Sequence, residues 1–248
     1  MRSSINKIIT SLFRYIHKLK LPKFDGDYFV KPKPSYISQF VGIYPQTIDL
    51  DSKMDNKQHI TAYGAKDSGE FSFWAWKNCG IACVKMILDA HEKSRGKKMM
   101  QLTREGVRLG GYIHYEGKNF VDKGWFHHSL VSLLQKYGIF AIMKKWQTID
   151  SIATDILGNK SVILSVLVPG RKHIAEDGSF KPKPNAKYGG HLLLATGVNM
   201  KSKQVIGIYV HDPRGLENYQ EDTFISADTF KKIFTSRTIV VEQKITSH

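Results

Sequence analysis

The chain has 248 residues, enough for one sizeable domain with extensions or for two small ones, and 42% hydrophobic with 11% aromatic residues supply a core. That composition excludes wholesale disorder, and no stretch approaches the roughly 18–20 uncharged apolar residues that a membrane-spanning helix needs. With 37 Lys+Arg against 22 Asp+Glu the formal charge is +15, which favours anionic partners; spread along the chain with no recognised nucleic-acid motif, it equally describes a lysine-rich solvated surface.

Residues 1–24 carry Arg2, Lys7, Arg14, Lys18, Lys20 and Lys23 and no acid. Ile8, Ile9, Leu12, Phe13, Ile16 and Leu19 recur at helical spacing, which predicts a basic amphipathic helix. Such a helix can lie on an anionic membrane surface, or pack on its own domain or a partner. Arg14 and Lys18 interrupt the apolar run that a secretory signal needs. Lys31-Pro32-Lys33-Pro34 reads as an extended linker, so residues 1–35 form an extension and 36–248 the main domain.

Residues 36–50 are short and apolar, predicting a strand or two, and Asp51 to Gly69 is polar and loop-like. From Asn78, a good helix cap, Ile81, Val84, Ile87 and Leu88 fall at helical spacing. Further helices are predicted from Met99 to Leu109 and from Phe126 to Tyr137, each stopped by glycine. The period then changes. Ile139–Met143, Val162–Val168, His191–Val198, Val205–His211 and Thr238–Glu242 read as strands, with short helices at Ile149–Leu157 and Ser226–Phe234. Helices first and strands later predict an α+β fold, a helical part packed on a mostly antiparallel sheet.

Only two cysteines occur, Cys79 and Cys83. On one helix they share a face, where a disulfide would be strained, and two unbridged thiols fit a reducing, cytoplasmic compartment. Cys79 falls in the first turn, where unpaired backbone N–H groups and the positive end of the helix dipole favour thiolate over thiol. Gly80 would leave the backbone beside the sulfur open to substrate. Cys83 falls in the apolar stripe and reads as a small core residue.

A thiolate nucleophile needs a base that later protonates the leaving group, and imidazole suits neutral pH. His191 follows Gly189-Gly190 and opens the apolar run Leu192 to Thr196, at the mouth of a buried strand. Asp212 ends the next strand, immediately before Pro213-Arg214-Gly215, and a hairpin between Asn199 and Gln204 would bring its carboxylate to the imidazole. The order decides the reading: a helix-capping cysteine, a histidine on a central strand, an aspartate at the end of the next.

Asn78-Cys79-Gly80-Ile81-Ala82-Cys83 resembles the Asp-Cys-Gly-Pro-Ala-Cys motif of the bacteriocin-processing (double-glycine leader) peptidases and their papain-like relatives. Gly190-His191 with Leu192 to Gly197, and Val210-His211-Asp212-Pro213 with the following Phe224 to Phe230, are similar to their histidine strand and their aspartate-proline turn with its closing helix. The resemblance covers about residues 70–242. It implies a papain-like cysteine peptidase fold with Cys79 as nucleophile, His191 as base and Asp212 as orienter. Those peptidases place a glutamine shortly before the cysteine for the oxyanion hole. Residues 70–78 contain none here, which leaves Asn78 as the side-chain candidate beside the Cys79 backbone N–H.

No Gly-x-Ser-x-Gly elbow, phosphate-binding loop, His-Glu-x-x-His pair or dinucleotide fingerprint is present. His114 and His127-His128 lack acids at ligand spacing, so neither metal nor cofactor is expected. Trp74, Trp76 and Trp125 read as core rather than as a groove lining. The loop from Arg171 to Tyr188 is expected to border the cleft. Two function classes follow: a cysteine hydrolase acting on a peptide or protein, with amidase or acyl transfer as related chemistry, and a catalytically weak binding module holding an anionic partner.

Overall fold

The computed structural model describes residues 21–42, 54–112, 115–116, 119–120, 124–169, 188–215 and 220–242. Of the amphipathic helix expected over residues 1–24, residues 1–20 lie outside them and residues 21–24 are not helical; residues 171–187 of the expected cleft loop, residues 43–50 and His114 also lie outside them.

Seven strands form one antiparallel sheet: β1 (Gly26–Phe29), β4 (Ala141–Lys145), β5 (Ser161–Pro169), β6 (Tyr188–Lys201), β7 (Gln204–His211), β8 (Thr223–Ser226) and β9 (Phe234–Val241), while β2 (Tyr115–Glu116) and β3 (Asn119–Phe120) make a separate pair. The order is β4-β9-β5-β6-β7-β8. Strand β6 is long enough to serve three partners. Its first half pairs with β5, its second half with β1 along the same edge, and β7 takes the other edge from Leu194 onward.

Side chains alternate across the pleat and so feed two cores. Ile163, Leu192, Leu194, Ile239 and Val241 face the helices α3 (Cys79–Ala90), α4 (Met99–Arg108) and α5 (His127–Lys136). Val162, Leu164, Leu193, Ala195 and Val240 face α6 (Ile149–Leu157) and α7 (Ala227–Ile233). The architecture is the expected α+β arrangement, a helical part on an antiparallel sheet, with the two shorter helices covering the far face. Trp74 and Trp125 are buried and meet Tyr112 edge-on, as core aromatics do.

The segment expected to be loop from Asp51 to Gly69 holds α1 (Lys57–Tyr63), and α2 (Ser68–Ala75) begins at its end. Asn56 caps α1 by accepting the N–H groups of Gln58 and His59, and Gly64 ends it at φ 80° in the left-handed region. Tyr63 is the one residue α1 buries, so it leaves no apolar period to read. Of the segment 36–50 expected to hold a strand or two, residues 36–38 are irregular and residues 39–42 form a turn.

The proline-rich stretch is not a free tether. Ahead of it β1 pairs with β6, Leu21 and Val30 are buried in the second core, and the Val30 N–H donates to the Thr196 carbonyl at 2.9 Å. Strand β1 and the buried Leu21 and Val30 therefore pack with the sheet and its core, upstream of the boundary expected near Tyr36.

Candidate active site

Cys79 is the first residue of α3 and is partly exposed. Its helix is pressed onto β6, since a Cβ added to Gly80 would come within 3.0 Å of Leu192 and Leu130 and 3.2 Å of Trp125. Gly80 is thus a packing glycine rather than an opening for substrate: it lets the helix N-terminus reach the strand. Ala82 N–H closes the first turn on the Asn78 carbonyl at 2.8 Å.

His191 is the fourth residue of β6 and is 4% exposed. Its Nε2 lies 2.6 Å from Oδ1 of Asp212, which directly follows β7. That engagement leaves Nδ1 as the ring nitrogen available to Cys79, whose thiol and the imidazole lie close enough to shift each other's acidity. The turn after Asp212 holds the carboxylate still. Oδ1 also accepts the Arg214 N–H at 2.8 Å, the Gly215 N–H donates to the Asp212 carbonyl at 2.9 Å, and the Asp212 N–H donates to the Gln220 carbonyl at 2.8 Å. The structure thus brings Cys79, His191 and Asp212 together from a helix terminus, a strand and a turn.

The electrostatics follow from these contacts. Burial opposes a charge on Cys79, but the hydrogen bond and charge of His191, a backbone bond to Leu192 and the charge of Arg214 outweigh it and hold the thiol below its ordinary value. Burial likewise opposes a charge on His191, yet Asp212 and Cys79 raise it to about 9. Asp212 is held below the usual carboxylate range against its own burial by His191 and Arg214. All three shifts act in one direction, favouring a thiolate and an imidazolium backed by a carboxylate over the neutral pair. Cys83 is the contrast. It is fully buried, its Sγ donates to the Leu192 carbonyl at 3.7 Å, and burial reinforced by the charges of Cys79 and Asp212 pushes its thiol well up.

Asn78, the expected oxyanion donor, is turned away. It is fully buried, and Nδ2 donates to Tyr63 Oη at 2.6 Å and to Thr103 Oγ1 at 2.7 Å, which uses both amide hydrogens. It also makes no side-chain cap, so it ties α3 to α1 and α4 instead. A second buried amide that sequence reading passed over, Gln39, lies near the turn after Asp212. It is 1% exposed, its backbone N–H donates to the carbonyl of Pro213 at 2.9 Å, and Nε2 donates to the Ala75 carbonyl at 2.7 Å, at the end of the helix preceding Cys79. Nothing adjacent to Cys79 in the chain signals it; the clue is a buried glutamine carried in from far upstream.

Among the described residues no group of three or more His, Cys, Asp or Glu side chains is arranged to hold a metal ion, and no helix is long and apolar enough to cross a membrane.

A thiol at a helix N-terminus, an imidazole against it and a carboxylate behind the imidazole make up the geometry that thiol-based acyl chemistry requires. Over residues 39–239 the sequence matches the Peptidase_C39 like family, and the chain belongs to that family. Among solved structures it is similar to a C39-like peptidase candidate from Bacillus anthracis at 12% identity, over 87% of this chain and 98% of that one, with a TM-score of 0.48. It is also similar to a double glycine motif protease from an AMS/PCAT transporter in complex with the leader peptide (14% identity, 67% of this chain and 84% of that one, TM-score 0.37). A third is the peptidase domain of Streptococcus ComA, a bi-functional ABC transporter (15% identity, 67% and 93%, TM-score 0.41). No curated protein matches the sequence significantly.

Proposed function

We propose that the protein is a cysteine peptidase in which Cys79 is the nucleophile, His191 the proton carrier and Asp212 the group that orients it. The observation that carries this reading is the His191–Asp212 pair, Nε2 on Oδ1 at 2.6 Å, beside a Cys79 thiol at a helix start that His191 holds below its ordinary value. The thiolate attacks the scissile carbonyl, and the C–N bond breaks as Nδ1 of the imidazolium delivers its proton to the departing amine. A thioester on Cys79 remains. Water then attacks it, giving its proton to Nδ1, and the carboxylic acid product leaves while the thiolate is regenerated. Asp212 keeps hold of Nε2 throughout, so the ring presents Nδ1 to the sulfur.

The oxyanion is assigned to the Cys79 backbone N–H, which the uncapped start of α3 leaves without a side-chain partner, and to the Gln39 amide. Gln39 Nε2 has a second hydrogen beyond the one given to Ala75. The test is alkylation by iodoacetamide joined to turnover of internally quenched peptide mixtures. Cys79 should alkylate rapidly at neutral pH, and modification should stop peptide cleavage. A slow, Cys83-like reaction at Cys79 would overturn the assignment.

A further inference from the structure

The helical face of the sheet continues beyond the site as a row of residues that the chemistry above does not use. Leu192, whose backbone bonds the sulfurs of both cysteines, lies opposite Ser165 on β5. Beside Ser165 strand β9 bulges, and Thr235 Oγ1 donates to the Ser165 carbonyl at 2.9 Å. Arg237 leaves that bulge directly opposite Lys145 of β4. Alternation with Ile239 and Val241 on β9, and with Ala141 on β4, puts Arg237 and Lys145 on the face that carries the Cys79 helix.

Both cations are exposed, and neither forms an ion pair among the described residues. Asp155, on the neighbouring Lys144, is engaged there, while Glu242 and Glu105 lie toward the other end of the β4–β9 ladder and of α5, paired with Lys160 and with Lys97 and Lys136. Like charges directly opposite each other on neighbouring strands are destabilising, so the fold here keeps an unfavourable pair. The start of α5 adds no relief. Its first turn has no acid, and burial together with the charge of Arg237 holds the His127 imidazole below its ordinary value. On the same face Ser165 is half-buried, and Leu167 and Gly190 stand opposite each other on β5 and β6. Leu167 is 45% exposed, and Gly190 is exposed with nothing within 4 Å of an added Cβ.

Resting on the peptidase reading above, we infer that Arg237 and Lys145 form a cationic end of the substrate groove that takes a carboxylate side chain of the peptide. Strands lie about 4.8 Å apart and an extended chain advances about 3.3 Å per residue, so two to three strand spacings from Leu192 correspond to roughly three or four residues from the scissile bond. An aspartate or glutamate at that distance would replace the missing counter-ion of the cross-strand pair.

The experiment scans a single Asp against Asn along both sides of the scissile bond in internally quenched peptides, using the full chain. A parallel series measures binding of the same peptides to the Cys79→Ala protein by fluorescence anisotropy. The wild type should favour Asp over Asn by roughly fivefold at one position three or four residues from the bond, the scale of one or two partly exposed ion pairs. In Arg237→Glu with Lys145→Glu that preference should vanish or invert toward Lys, in cleavage and in binding, with iodoacetamide alkylation of Cys79 unchanged. The single variant Arg237→Glu converts the repelling pair into an attracting one and should melt no lower than wild type, which separates loss of recognition from loss of fold. An unchanged preference in the double variant overturns the inference, as does an equal gain from Asp at every position, which is the diffuse field of a chain with +15 charge. Charge-selective binding without cleavage would sink the peptidase reading and leave the groove standing, whereas cleavage without charge selection would do the reverse.

Discussion

Oδ1 of Asp212 receives two donors at once, Nε2 of His191 at 2.6 Å and the backbone N–H of Arg214 at 2.8 Å. The turn Asp212-Pro213-Arg214 therefore fixes the carboxylate before the carboxylate fixes the imidazole. In the observed orientation Nε2 meets that carboxylate, which leaves Nδ1 for Cys79. Asp212→Asn keeps the shape but removes the charge that raises His191. Peptide turnover should fall by roughly 10²–10⁴-fold, the range for disabling a general acid–base group, and intact-protein thermal melts should show that the variant remains folded.

The pH profile should have a basic limb near 9. His191 is raised to about 9, above the usual histidine value, so the imidazolium and its attraction to Asp212 and the thiolate are fully present at lower pH. Both are lost as pH rises through 9. The acid limb should fall below the ordinary thiol range, because Cys79 is depressed. Rates of iodoacetamide alkylation against pH in wild type and His191→Ala check this. A Cys79 inflection that stays in place without His191 contradicts the coupling.

Cys79→Ala should lower peptide turnover by roughly 10³-fold or more, as removal of a nucleophile does. Cys83→Ala should keep turnover and cost about 1 kcal/mol of stability through its small buried void. Comparing activity and denaturant midpoints of the two proteins separates their roles.

Asn78→Ala strips a hydrogen-bond donor from the buried Tyr63 hydroxyl and should destabilise the protein by about 1–3 kcal/mol. It should leave the alkylation rate of Cys79 close to wild type. Gln39→Ala is expected to show the opposite pattern, with cleavage reduced by roughly 10²–10³-fold and alkylation retained, as loss of an oxyanion donor implies. Exchanged phenotypes would return the oxyanion role to Asn78.

A chain beginning at Tyr36 lacks β1 and the buried Leu21 and Val30. Burying each such side chain is worth about 1.5–3 kcal/mol, so together with the β1 pairing their loss takes a large part of a typical domain's stability. A truncated protein with the wild-type melting temperature would show that residues 21–30 only decorate the sheet.

Local chemistry was legible in the sequence because it is written at short range. Apolar residues at helical spacing after Asn78 mark α3, and the runs at Val162, His191 and Val205 mark β5, β6 and β7, since periods of 3.6 and 2 follow from backbone geometry alone. Placing Cys79 at a helix start and Asp212 at a strand end needs no more than those periods. Partnership across the chain is another matter. Asn78 reads as a cap, yet Tyr63 and Thr103 capture its amide in three dimensions. Gly80 reads as an opening, yet Leu130, Leu192 and Trp125 close over it. Gln39 carries no local mark, and only the bond from its backbone to Pro213 brings it beside the turn that holds Asp212. Strand β1 is too short to show a period, and its pairing with β6 joins residues 26–29 to the sheet. The backbone's own periods are set residue by residue, whereas a side-chain amide or a glycine takes its role from whichever distant group packing places within about 3 Å.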